Sequence, residues 1–134
     1  MEWRQMSLGE VADKMLILKI KTEKFTKGSY KHDMATKQHE FIGENFKEFC
    51  RNEISLEGHH VLKVLLEKLY LVNKRLWDSE DKVCASTDIQ EVANTAKWSR
   101  KLNIERADIK QQIDCIIGET FLEMKEYADT KDLL

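Results

Sequence analysis

The sequence contains no proline. Proline is the strongest interior breaker of helices, because it lacks an amide donor and its ring collides with the preceding turn. Its absence permits long uninterrupted helices. Glycine is scarce as well, with five residues in 134, and no glycine-rich phosphate loop can be drawn. No stretch keeps the period-two alternation of a strand. The longest apolar run, Val64 to Val72, is interrupted by Glu67 and Lys68, so it is too short and too charged to span a bilayer. Charge of one sign is also lacking. Lys plus Arg number 22 against 24 Asp plus Glu, and without a concentrated basic surface no general affinity for nucleic acid is expected. The three cysteines, Cys50, Cys84 and Cys115, stand far apart with no CxxC pair, and no apolar leader precedes Met6. That usage predicts three reduced, largely buried thiols in a cytoplasmic protein.

What is present is helical pattern. Apolar residues make up 42% and charged residues 34%, the mixture of a helical domain large enough to bury a core. A single domain over 1–134 is expected. Ser7-Leu8-Gly9-Glu10 reads as a capping box, opening a first helix from Leu8 to about Phe25. Its apolar face takes Leu8, Val11, Ala12, Met15, Leu18 and Phe25, with Glu10, Asp13, Lys14, Lys21 and Lys24 opposite. Gly28 suits a left-handed stop. A second helix follows from Tyr30 or Lys31 to about Asn52, with an inner stripe of Met34, Gln38, Phe41, Ile42, Phe46, Phe49 and Cys50. Glu53 to Gly58 reads as a tight connection. The third helix, His59 to Val83, looks like the axis of the chain, because its first half is apolar almost all round. Leu62, Leu65, Leu69, Val72 and Leu76 form its seam. Thr87 or Asp88 caps a fourth helix from Ile89 to about Ile117, with Val92, Ala96, Ser99, Leu102, Arg106, Ile109, Ile113 and Ile117 inward. Glu119 to Tyr127 reads as a short fifth helix after Gly118. The fold expected is all-α: an antiparallel bundle of four main helices plus a short C-terminal helix.

Catalytic signatures are thin. Glu57-Gly58-His59-His60 holds one Glu-x-x-His, whereas a helical di-iron centre needs two such motifs and further glutamates. There is no nucleophile elbow. No cofactor and no metal site is expected. Two polar constellations carry more interest. Asn103 and Arg106 lie one turn apart facing inward, and Asn73, Trp77 and Glu80 share a ridge of the third helix. A buried arginine requires a carboxylate, and Asp78, Glu80 or Asp81 could supply it. The pair then either fixes helix register or, with Asn103, grips an anionic ligand through the guanidinium fork. On the first helix Lys14, Ile17 and Lys21 form a line of two cations around an apolar residue, readable as a solvated face, a docking surface or the rim of an anion pocket. Asp78 and Asp81, one turn apart, have the spacing used to hold Mg²⁺ in helical pyrophosphatases.

Four stretches together resemble an uncharacterised family of small helical proteins from bacteria and their phages, a domain of unknown function. They are Ser7-Leu8-Gly9-Glu10 with Asp13-Lys14, Ile17-Leu18 and Ile20-Lys21; Leu76-Trp77-Asp78 with Glu80-Asp81; Leu102-Asn103 with Arg106-Ala107 and Lys110; and Glu123, Lys125 and Tyr127 after Gly118. The resemblance implies an acidic residue where this chain has Lys19, and it implies no activity or substrate.

Two readings of function stand. The first is a non-enzymatic helical module acting by homodimerisation, with the first half of the third helix at the interface, and by docking to an unidentified protein partner. The second is a small enzyme or binding protein for an anionic metabolite or nucleotide, with Mg²⁺ as an optional requirement. The residues in question are Lys14, Ile17, Lys21, Asn73, Trp77, Asp78, Glu80, Asp81, Asn103 and Arg106. Neither nucleic acid nor membrane is an expected partner.

Overall fold

Four capped residues set the four helices. Ser7, Ser29, Ser55 and Asp88 each leave the backbone extended and turn a side-chain oxygen onto amides of the first turn, answering donors that a helix start leaves unpaired. The computed structural model describes residues 6–117. Within them lie α1 (Leu8–Lys24), α2 (Tyr30–Glu53), α3 (Leu56–Ala85) and α4 (Ile89–Ile116), and no strand. The fifth helix expected at Glu119 to Tyr127 and the stop at Gly118 lie outside the described residues. Gly28 takes the left-handed conformation, φ 84°, in the α1–α2 turn. The α2–α3 connection is shorter than its glycine suggests. Only Ile54 and Ser55 separate the helices, and Gly58 lies within the first turn of α3. A side chain there would press on Ile54 and Ile116.

The axis of the molecule is α1. It packs against each of the other helices, while α3 and α4 form a close hairpin and α2 rests on α1 and barely touches that hairpin. The expectation that α3 is enclosed on all sides is therefore corrected. Leu62, Leu65, Leu69 and Val72 are buried, but Val61, Val64 and Leu71 are 52%, 51% and 52% exposed. The more enclosed helix is the shorter one, buried at Leu8, Gly9, Val11, Ala12, Asp13, Leu16, Leu18 and Ile20, residues that cover more than half of its circumference and leave Glu10, Lys14 and Lys24 on the open side.

Other stripes shift with it. On α2, Phe46 and Cys50 reach the core, but Met34, Gln38 and Phe41 lie on the surface, because α2 has one neighbour to cover it and not two. On α4, Leu102, Ile109 and Ile113 are buried, whereas Ala96 and Asn103 are exposed. Two of the three thiols, Cys84 and Cys115, are exposed as well, and all three are free.

Candidate functional site

The polar centre of the molecule is Asp13. It stands on the face of α1 that the charge pattern assigns to solvent, yet it is 3% exposed. Arg106 of α4 donates through Nε to Oδ1 at 2.9 Å and through its terminal nitrogen to Oδ2. Asn73 of α3 donates its amide to the same Oδ1 at 2.9 Å. Lys110 stands 3.9 Å from Oδ2 and pairs with Glu10 at 2.6 Å. One turn further along, the Gly9 amide donates to Asp114 at 2.7 Å. Antiparallel α1 and α4 thus form a ladder: Gly9 with Asp114, Glu10 with Lys110, Asp13 with Arg106. The fork geometry matches a carboxylate at both oxygens. The hydrogen bond to Asp13 raises the Arg106 pKa; burial opposes that, and the charges of Asp13 and Glu10 reinforce it. The guanidinium is therefore always charged and already engaged.

This corrects the partner expected for Arg106. Asp78, Glu80 and Asp81 do not reach it: Asp78 lies 3.5 Å from Lys24, and Glu80 and Asp81 are exposed. Trp77 meets the ring of Phe25 edge to face, centroids 6.3 Å apart. Asn103 faces solvent. Lys14 is exposed at a shallow apolar hollow between α1 and α2 that also involves Met6, Leu18 and Phe41, while Ile17 and Lys21 are half-buried. Of the ten candidate residues, Asn73 and Arg106 meet in one cluster and the others are dispersed. Asp13, Glu10 and Lys110 complete that cluster and were not among the candidates. The signal for them lies in Leu16, Ile17 and Ile20, which interrupt the polar side of α1 and narrow its solvent face.

A groove opens where α2 and α3 both lean on α1 without closing on each other. It holds about 780 Å³. Leu16 of α1, Phe46 and Cys50 of α2, and Leu62, Leu66 and Tyr70 of α3 make its floor and walls. Its rim is cationic, with Lys19, Lys47, Arg51 and Lys63 against Glu67. Lys19 lies 4.9 Å over the Tyr70 ring, a cation–π contact. The Tyr70 hydroxyl donates to Glu23, which pushes its pKa up to about 12, with burial and the Glu23 charge adding to the effect. Burial raises the Cys50 thiol to about 11. Beyond the rim, burial and then Lys19 lower the pKa of His39.

Among the described residues no three His, Cys, Asp or Glu side chains converge to hold a metal ion, and no helix is long and apolar enough to cross a membrane.

No family model, curated protein or solved structure matches this chain. Function has to be read from the site itself. What the Asp13 cluster can do chemically is limited: its cations and carboxylates neutralise one another inside a helical interface. The ladder fixes the register of α1 against the α3–α4 hairpin, and it leaves the open groove and the uncovered stripes as the surfaces free to meet something else.

Proposed function

We propose that this protein acts by association and not by catalysis, as a helical module that pairs with a second copy and docks a protein partner. The observation that carries the reading is the uncovered stripe on the outer face of α3. Val61, Val64 and Leu71 are each about half exposed, and they repeat at the three-and-four spacing of a helix seam. Lys68 and Arg75 continue the stripe, and Glu57 begins it. Among the described residues none of these three charges has an ion-pair partner.

The stripe is complementary to itself. Two copies of α3 laid antiparallel about a two-fold axis level with residue 66 bring Val61 opposite Leu71 and Glu57 opposite Arg75, each twice. Val64 then lies along the methylene stem of Lys68, which keeps its ammonium in water. A two-fold contact of one patch with itself is the common solution for small homo-oligomers. The second uncovered stripe, Tyr30, Met34 and Phe41 on α2, supports association from a different side.

The rival reading, an anionic metabolite held by Arg106 and Asn103, finds less support, since Asp13 engages the guanidinium and Asn103 faces solvent. Kinship with the uncharacterised bacterial and phage family stays part of the proposal and rests on its four ordered motifs.

Sedimentation equilibrium tests the pairing. A dimer is expected at micromolar concentration. Glu57→Arg should weaken it by placing like charges together, and Glu57→Arg with Arg75→Glu should restore it. A wild-type monomer at micromolar concentration, or a double variant no better than the single, would sink the proposal.

A further inference from the structure

Resting on the reading of this chain as an association module, we infer that the α2–α3 groove is the partner site and takes an acidic amphipathic helix of another protein.

Shape comes first. The α1 helix has α4 packed along one side and α2 along another, and α3 packs along α4 but, beyond the two-residue link at Ile54 and Ser55, barely touches α2. The gap over Leu16 is therefore a missing position in the packing, flanked by two helices and floored by a third. From His59 to Tyr70 the α3 wall runs about three turns, or about 16 Å. A helix laid there rests on the part-exposed Leu66 and Tyr70, above Leu16, Phe46 and Leu62, which the chain itself already buries, the mode in which apolar residues at three-and-four spacing anchor a helix in a groove. The groove is an open trough and not a tunnel, which suits a rod of helix width better than a single acyl chain.

Charge then selects the partner. Among the described residues Lys47, Arg51 and Lys63 have no carboxylate partner, and Lys19 lies over the face of Tyr70. Four cations against one carboxylate, Glu67, edge the groove in a chain whose net charge is −2. A helix with acidic residues flanking its apolar stripe satisfies both features. Such rim charges act mainly on encounter and on rejection of wrong partners. Nucleic acid would meet the cations but not the apolar floor.

The test uses the full-length chain and two synthetic amphipathic peptides, each fluorescein-labelled and with leucine at three-and-four spacing. One carries glutamate at the flanks, the other lysine. Anisotropy should show the acidic peptide binding in the micromolar range and weakening as NaCl is raised, with no binding of the basic one. Arg51→Glu with Lys63→Glu should weaken binding about tenfold or more at an unchanged thermal midpoint, since both residues are exposed. Equal binding of the two peptides, or of wild type and variant, overturns the inference. So does binding of dodecyl phosphate at the groove without binding of the acidic peptide. A photo-crosslinker at position 63 that captures residues 118–134 of the same chain also overturns it. Sedimentation of the same samples separates this failure from failure of the dimer, because the α3 stripe and the groove lie on different faces.

Discussion

At the scale of single residues, Asp13 decides the interior. An ionised carboxylate in this position is tolerable only because Arg106 and Asn73 converge on it, with Lys110 nearby. Removing one partner leaves the other charge buried and unpaired, which costs more than the pair is worth. Arg106→Met should therefore lower the unfolding free energy by about 3 kcal/mol in urea titration. Adding Asp13→Asn should recover much of the loss, because the carboxamide oxygen still accepts from Asn73. A single variant as stable as wild type would show that the ladder contributes nothing. Cys50 offers a second residue-scale test. Burial lifts its pKa from 9.0 to about 11, so the folded thiol stays neutral where an unfolded one ionises. Its contribution to stability is present in full below pH 9.0 and is lost as pH rises towards 11. At pH 8, alkylation should exhaust Cys84 and Cys115 quickly and leave Cys50 intact until denaturant is added. Rapid modification of all three thiols in the native protein would contradict its placement.

At the scale of elements, the helices were legible and their environments only partly so. Two of the four start caps, Ser7 and Asp88, fall where the sequence offers them, Asp88 as one of two alternatives with Thr87, because capping is a local contest among neighbouring groups that a short window of sequence records. Burial depends on which helices meet, and that information is spread along the chain. The apolar richness of α3 points to enclosure, yet Val61, Val64 and Leu71 face outward. In α1, which holds both Ile17 and Asp13, the polar residues masked a helix surrounded by three others. Residues of two of the four stretches quoted above lie on the α1–α4 contact: Ser7 is the α1 cap, Gly9 is the close approach to α4, and Asp13, Arg106 and Lys110 are rungs of the ladder. Two glycines make the distinction measurable. A Cβ on Gly9 would collide with the Lys110 carbonyl and come within 3.0 Å of Asp114 Oδ1, whereas one on Gly43 meets nothing within 4 Å. Gly43→Ala should stabilise the protein by about 1 kcal/mol and Gly9→Ala should lower the thermal midpoint. Calorimetry giving both the same sign would mean that α1 and α4 are not in this contact.

At the scale of the whole molecule, near and distant contacts along the chain play unequal parts. The α3–α4 pair is joined through Ser86, Thr87 and Asp88 and has the most extensive interface, between stretches that follow one another directly. The polar partners of α1 on α3 and α4 are distant: Asn73, Arg106 and Asp114 lie 60, 93 and 105 residues from the groups they bind. Contacts across short loops form sooner than those that must first close long ones. In time, then, the Asp13 ladder is a late clasp. The α3–α4 hairpin comes first and holds out two polar hands, Asn73 and Arg106, on an otherwise oily side. Until α1 returns from the far end of the chain to take them, the hairpin is a receptor waiting for its own first helix.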